Sequence, residues 1–562
     1  METDASKIQT WFGEKESGEF QPLFQRMDED FDIWEMNPSP SNISAYEQDV
    51  KTKTKQHPAD IDVVSPDLRD HSDGVQSLLS DSDMQIMIKM AEAEGIDKRA
   101  EIGKLERLFI YLLEKADDRL RRLLLPPLRE SIIWYLGVRG WAGVRVLLYK
   151  KDKSVIPDFV AFDPRWLVYD IGGEGLIKVG YKTFKSRAAL KSEWDYEAES
   201  KTENEVIDYW EYEKPGQIIN SVSCKGTFLK NPEVVGIPSM PFSIIPISTR
   251  PPVVGPSGTM LKSYGESLYA TNRNINAVRN RFASIWVNHA NLTANQPLIN
   301  YRSKAGETIR DFRSYPGGVI NLDRDENRLE PLPLKEISPT ILSFMGWLNV
   351  QIEQGVLPRY LMETPPASGT RANLAQEAGN KIFNPQLKAL SCIYADICRL
   401  IEEQLLAGKL KVNIKTEWDK KYYETQVTPI DLKRAHIIKV EFTARTPWSQ
   451  LDVAQIAQML KGLGLPDEWI WENILKIQDP KLISDLLALE IYEHSPQGMM
   501  KRAVDVLMDR GYIFEAQRLI KQMDIMEQQQ AIGGEAPTAE AEIPPSEEVS
   551  PAPPEIPPEV GL

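Results

Sequence analysis

The sequence predicts an α+β chain, and three observations carry that prediction. Apolar residues recur at helical spacing in three long blocks between Tyr264 and Ala407. Short β-branched and aromatic runs fill residues 138–250. Helical patterning with cap-plus-proline starts returns beyond Ser449. Strand-rich and helix-rich stretches are segregated along the chain rather than alternating, which separates this pattern from a βαβ repeat.

Residues 1–75 are polar, with aromatic punctuation at Trp11, Phe12, Phe20, Phe31 and Trp34, and read as short helices and extended arm-like pieces. Ser80 or Asp81 is placed to cap a helix beginning near Met84. From Ile102 to Leu125 the residues Leu105, Leu108, Phe109, Leu112, Leu113, Leu120 and Leu123 fall on one helical face, closed by Pro126-Pro127. A second helix runs to about Tyr135, with Gly137 as its stop. Strand-like runs follow at Val144–Tyr149, Trp166–Asp170 and Leu176–Phe184, the last two flanking the hairpin string Gly172-Gly173-Glu174-Gly175. Val206–Tyr212 and Ser221–Leu229 continue the module, which Pro238 and Pro241 break up.

Helical order resumes at Ser263. Leu268, Ile275, Val278, Phe282 and Ile285 recur at heptad-like intervals and form an apolar seam, faded by Pro297. Residues 291–336 hold Pro316-Gly317-Gly318 and the strand-like Val319–Leu322, a small α/β excursion. Ser338-Pro339 opens the next helix as cap and first residue. It carries Ile341, Phe344, Met345, Leu348 and Ile352 and ends at Gly355 and Pro358. Residues 357–370 are a loop by composition, with Tyr360, Met362, Thr364, Pro365, Pro366, Ser368 and Gly369. A helix to Leu406 follows, kinked at Pro385, with Gly408 behind it. Leu410–Ile414 and Ile437–Thr443 read as a second pair of strands that join the earlier strand-rich module, because a lone pair is marginal in water. Ser449 with Asp452, Asp479-Pro480 and Ser495-Pro496 mark further helix starts, and Gly511 divides two helices. Residues 531–562 contain eight prolines, seven glutamates and no lysine or arginine, so they read as a disordered acidic tail.

At 562 residues the chain has room for several domains, and 42% hydrophobic with 26% charged residues is ordinary for a globular protein. A net charge of -16 argues against simple nucleic-acid adhesion but leaves room for a local basic lining. Cys224, Cys392 and Cys398 are too few and too scattered for a disulfide framework, which points to a reducing compartment; Cys392 and Cys398 read as small buried hydrophobes. No secretory or lipidation pattern is expected at either end, and no apolar run is long enough for a membrane span.

Catalytic signatures do not surface. The glycines between Gly137 and Gly143 lack dinucleotide-loop spacing, and Gly103-Lys104 has no glycine five residues earlier. His57, His71, His289, His436 and His494 are far apart. Asp28-Glu29-Asp30 and Asp323-Arg324-Asp325-Glu326 could hold a hard cation at a subunit seam, but neither matches a twelve-residue calcium loop and a solvated turn is much the plainer reading of each. No cofactor is expected.

Several strings taken together resemble the portal (head–tail connector) protein of tailed bacteriophages. Phe162-Asp163-Pro164-Arg165-Trp166-Leu167-Val168-Tyr169-Asp170 and Pro241-Phe242-Ser243-Ile244-Ile245-Pro246 are similar to stretches of the portal wing. Tyr264-Gly265-Glu266-Ser267-Leu268 with Asn274-Ile275-Asn276-Ala277 looks like the start of a first stem helix. Ser368-Gly369-Thr370-Arg371-Ala372 resembles the end of a tunnel loop, and Leu463-Gly464-Leu465-Pro466 with Asp479-Pro480 and Glu490 resembles a crown. The strings span roughly residues 45–495 in order.

The resemblance implies a portal-like fold. Residues 1–75 would be an N-terminal arm or peripheral wing, 76–260 the wing, 261–290 the first stem helix, 291–336 the clip and 337–356 the second stem helix. Residues 357–370 would be the tunnel loop, 371–447 the long kinked helix with the second wing strands, 448–530 the helical crown and 531–562 the tail. It implies a homo-oligomeric ring, usually a dodecamer, at one capsid vertex of the virion, assembled in the host cytoplasm. Double-stranded DNA would pass through it without sequence preference. Its partners would be terminase during packaging, head-completion or tail adaptor proteins later, and the major capsid and scaffolding proteins.

A bore that conducts a polyanion must not grip it, since each phosphate contact adds salt-dependent affinity. Candidate channel cations are Arg273, Arg279 and Arg281 on the first stem helix, Arg359 and Arg371 beside the loop, and Lys501, Arg502, Arg510, Arg518 and Lys521 in the crown; solvated or salt-bridged side chains are the plainer alternative. The inter-subunit seam would comprise Leu268, Ile275, Val278, Phe282, Ile285, Ile341, Met345, Leu348 and Ile352, which makes Leu348→Asp its natural probe. Two other classes stay open: a helical scaffold or adaptor that binds protein partners, and a metal-dependent enzyme acting on nucleic acid. Particle size separates the ring from both.

Overall fold

The structure, a computed structural model, describes residues 4–39, 43, 61–90, 98–151, 154–201, 203–214, 216–247, 261–302, 319–323, 328–333, 339–355, 369–418, 421–433, 436–443, 457–474, 487, 494–509, 512 and 514–521. The chain is mixed α+β and divides into two compact units, Met1–Gln478 and Asp479–Leu562.

The first unit begins with α1 (Ala5–Ser17), whose first turn is capped by Asp4 accepting from the Ser6 amide, and α2 (Gln21–Glu35). These helices are built into the body rather than laid out as an arm. Phe12, Phe20, Leu23, Phe24 and Met27 are buried with Trp141, Val168, Ile207 and Tyr209, and Trp11 donates to Asp170 at 3.0 Å. Next come α3 (Asp67–Ser80) and β1 (Asp83–Met90). The helix expected near Met84 is therefore a strand. Its buried residues Ile86 and Ile88 alternate with period two, and its partner, residues 436–443, is too distant in sequence for local reading to find.

Helix α4 (Lys98–Arg122) buries Leu105, Leu108, Phe109, Leu112, Leu113, Ala116 and Leu120, while Leu123 is exposed beyond its end. Helix α5 (Leu128–Arg139) runs past Gly137 and stops at Gly140, which sits in the left-handed region at φ 76°. Gly265, at φ 70°, packs against Gly140 so closely that a Cβ on Gly140 would lie 1.9 Å from the Gly265 carbonyl oxygen. The buried Arg26 guanidinium locks this junction by donating to the carbonyls of Arg139, Lys262, Tyr264 and Gly265.

Two antiparallel sheets follow. Strands β2 (Trp141–Lys151), β3 (Ser154–Phe162), β4 (Leu167–Gly172), β5 (Gly175–Lys185), helix α6 (Arg187–Trp194), β6 (Asn204–Lys214), β7 (Gln217–Cys224), β8 (Thr227–Val235) and β9 (Phe242–Pro246) come in that order. They form a three-stranded sheet, β3-β2-β9, and a five-stranded meander, β4-β5-β6-β7-β8. The glycine-marked hairpin joins β4 to β5 with Gly172 opposite Gly175. The run Ser221–Leu229 is two strands, not one: Lys225 and Gly226 both take positive φ and make the two-residue turn between β7 and β8. Between the sheets Arg145 bridges Asp158 at 3.0 Å and Asp208 at 2.7 Å.

Helix α7 (Arg273–Ala294) leads into a three-stranded sheet of β10 (Leu298–Arg302), β11 (Val319–Asp323) and β12 (Arg328–Pro331), and helix α8 (Pro339–Gly355) returns from it. Strand β10 is central, parallel to β11 and antiparallel to β12. The 39-residue helix α9 (Gly369–Ala407) contains Pro385. Then come β13 (Val412–Trp418), β14 (Lys421–Val427), α10 (Pro429–Leu432), β15 (His436–Thr443) and α11 (Asp467–Asn473).

The late strands do not pair as one hairpin, nor do they enter the sheets of residues 141–246. Strand β13 pairs with β14, and β15 pairs with β1. Each ribbon escapes marginality by packing on the main core, where Val412, Ile414, Val427, Val440 and Phe442 meet residues of α4, α5 and α9. The Gln404 side chain completes β2 where β9 ends, accepting from the Leu148 amide at 2.9 Å and donating to the Val146 carbonyl at 2.8 Å. Cys398 is buried on α9 and its thiol is pushed up to about 12 by that burial. Cys392, expected to be buried too, is exposed.

In the second unit, α12 (Pro496–Asp509) is capped by Ser495, whose Oγ accepts from the Gly498 amide at 3.0 Å. The Ser449–Asp452 start, Asp479-Pro480, Gly511 and the tail lie outside the described residues, as does the loop except Gly369 and Thr370, which begin α9.

Candidate assembly surface

Helices α7 and α8 pack side by side, and the base of α7 is clamped to the body by charge. Arg273 reaches Asp30 through two hydrogen bonds of 2.8 and 3.0 Å, with Glu266 at 3.5 Å. Asp30 is buried; burial pushes its carboxyl up, against the pull of Arg273 and Arg26. Arg279 is buried and paired with Asp67 at 2.5 Å. Asn272 ties the base to α8 through the Ile352 carbonyl at 3.1 Å.

One face of α7 is polar yet covered. An extended strap, residues 61–65, runs along it, and its amides are read at four-residue spacing. Asn288 accepts from Ile61 at 2.8 Å, Ser284 from Val63 at 2.9 Å and Asn280 from Ser65 at 3.2 Å. Asn288 also donates to the Ile61 carbonyl at 3.0 Å.

Beside the strap, α3 carries the buried His71, whose imidazole burial drives down to about 4. His71 is then neutral in the fold but takes a proton in the unfolded chain below its ordinary range. The unfolded state binds more protons in that window, so stability is expected to fall as pH drops from about 6.5 to about 4, with a slope approaching 1.4 kcal/mol per pH unit. Urea unfolding at stepped pH checks this, and His71→Gln should flatten the slope.

Much of the remaining surface of the helix pair is apolar and uncovered, interrupted by exposed Thr340, Ser343 and Asn349. Helix α8 holds no charged residue from Pro339 to Ile352. It buries Leu348, at 3% exposure, and Ile352, while Ile341, Leu342, Phe344, Trp347 and Val350 are exposed, Trp347 at 53%. At 3.6 residues per turn Ile341 continues the row Met345, Leu348 and Ile352, while Leu342, Phe344, Trp347 and Val350 reach the flanks and back of α8. Helix α7 adds exposed Ile285, Trp286 and Val287. Phe344 joins the two helices by an edge contact with Phe282 at 5.4 Å and stacks on Trp347 at 5.6 Å. Contiguous exposed apolar surface of this kind marks a docking site.

The expected seam therefore divides. Leu268 packs on the main core, and Ile275 and Ile352 join a small core with Ile33, Leu68, Val138 and Tyr269. Leu348 is buried within the single chain, so Leu348→Asp would unfold the helix pair before it reported on assembly. Val278, Phe282 and Met345 are half-buried, and only Ile285 and Ile341 of the expected set are exposed. Trp286, Val287, Leu342, Trp347 and Val350 were not singled out from sequence. The charge-free, largely apolar run of α8 was the available signal, since apolar helix surface of that breadth must be covered.

Among the channel candidates, Arg273 and Arg279 take the salt-bridged alternative within the chain, Arg273 with Asp30 and Arg279 with Asp67. Arg281 is half-buried. In the second unit Lys501, Arg502, Arg518 and Lys521 are exposed. Arg359 and Arg510 lie outside the described residues, as does the Arg371 side chain. Asp28 turns to Arg165 at 2.8 Å and Asp30 to Arg273, so the first carboxylate cluster diverges. No metal-holding group of acidic, histidine or cysteine residues occurs among the described residues, and no described helix is long and apolar enough to cross a membrane. In comparisons with known proteins, the chain matches no family model and no curated sequence.

Proposed function

We propose that the chain is a subunit of the ring-shaped portal at one capsid vertex of a tailed bacteriophage. The observation that carries this reading is the uncovered apolar surface of α7 and α8, which extends over more than one face of the pair. A helix apolar on two flanks suits a head-to-tail contact, in which each copy meets a neighbour on either side and the series closes into a ring. The order helix, small sheet, helix also suits the stem and clip of a portal-like fold, with the sheets of residues 141–246 in the wing and the helices after 448 in the crown.

In this reading the ring is the channel for DNA packaging and ejection and the docking platform for terminase and later for tail adaptor proteins, within a shell of capsid and scaffolding proteins. An acidic subunit with few free bore cations lets the polyanion slide. The chain itself catalyses nothing; nucleotide hydrolysis belongs to the terminase. Negative-stain imaging and sedimentation velocity of the purified protein test the proposal. Annuli of roughly a dozen copies with a central hole are expected. Solitary compact molecules across a wide concentration range would overturn it.

A further inference from the structure

The turn between α4 and α5 presents an apolar knob. Residues 121–126 are all exposed, and Leu124 shows 94% of its surface, flanked by exposed Leu123 and Leu125. This is not a frayed end. The Leu125 amide donates to the Leu120 carbonyl and the Leu124 amide to the Arg121 carbonyl, both at 3.0 Å, the paired bonds of a Schellman helix terminus. On the exit side, Asp117 accepts from the Leu128 amide at 2.8 Å. Leu124 is the left-handed residue of this terminus, at φ 59°, a position that helices usually give to glycine because a Cβ crowds the following carbonyl. In a lone chain, leucine is unfavourable there twice over, through backbone strain and through solvation of its side chain. Arg122 stands exposed beside it, as does Arg121, which pairs with Asp118 at 3.4 Å, while Arg119 turns to Asp158 at 3.2 Å.

We infer that Arg121–Leu125 is a self-association contact separate from α7 and α8, in which Leu124 packs on an acid-edged apolar patch of a neighbouring copy and Arg121 and Arg122 meet its carboxylates. Charge selects a second copy as the occupant. Chains of net charge -16 repel one another, and a cationic apolar knob offsets that repulsion locally. The complementary chemistry exists on the same chain: exposed Ile171 and Ile177 flank exposed Glu174 at the β4–β5 hairpin. The inference rests on the self-assembly part of the reading above.

Leu124→Gly separates a helix cap from a contact. Glycine suits the left-handed backbone, so the denaturation midpoint of the variant should hold or rise. A residue that only caps the helix predicts unchanged assembly. The contact predicts an assembly midpoint concentration raised at least about 10-fold, because one buried leucine is lost at each interface. A photoreactive side chain at position 124 of the full chain should crosslink to a second copy. Assembly of Leu124→Gly equal to wild type, or crosslinks only to a different protein, overturns this contact and leaves the ring standing. Failure of the wild type to assemble at all overturns both.

Discussion

Trp347→Asp is expected to abolish ring assembly while leaving the single chain folded. Trp347 is exposed in the lone chain, so its replacement removes little packing there and should shift the unfolding midpoint by no more than an ordinary surface change. At an interface the same residue is of the type that dominates binding, and its truncation alone costs about 2 kcal/mol or more. Aspartate adds an unpaired carboxylate to a contact that excludes water. Every copy repeats the loss, so a closed ring suffers it at each junction. Sedimentation velocity should find solitary molecules, and circular dichroism should find the native helix content and melting profile. Intact annuli would remove this face of α8 from the assembly contact.

Asp30→Ala is expected to destabilise the first unit by about 3–5 kcal/mol, the range for breaking one side of a buried charge pair. The carboxylate is fully buried and feels the positive charge of both Arg273 and Arg26. Its removal strands the Arg273 guanidinium, leaving only Glu266 at 3.5 Å. Asp30→Asn should cost less, because the amide oxygen can still accept one of the two bonds. Urea denaturation of both variants checks the order. A near-neutral Asp30→Ala would mean that Glu266 swings in to replace the lost partner.

What the sequence disclosed and what it hid follow a physical division. Long periodic helices were legible: residues 98–122 and 369–407 announce themselves by apolar spacing, and Gly172–Gly175 by turn chemistry. Strands whose partners are distant were not. Met84 to Met90 carries no local mark of the pairing with 436–443 that makes it a strand, and Ser154–Phe162 was missed outright because Pro157 interrupts a run that β2 rescues. Lys225-Gly226 lacks the usual asparagine or aspartate of a two-residue turn, so β7 and β8 merged. At the candidate site the apolar residues were visible but their exposure was not. Whether Leu348 or Trp347 faces outward depends on where α7 lies. The arginines stayed open for the same reason: Arg273 and Arg279 look free along the chain, and their carboxylates arrive from residues 30 and 67.

The strap along α7 has a consequence for how this protein can vary. Asn280, Ser284 and Asn288 hold residues 61–65 by main-chain groups alone. A grip of that kind is indifferent to which side chain hangs from the gripped backbone. Related chains can therefore rewrite positions 61 and 63, barring proline, which has no amide hydrogen to offer, provided the three recognising residues keep their one-turn rhythm, whereas Ser65 also donates its hydroxyl to Asp67 at 2.8 Å. Sequence drift in the strap and constancy on the helix would be the evolutionary signature of such a backbone-reading groove.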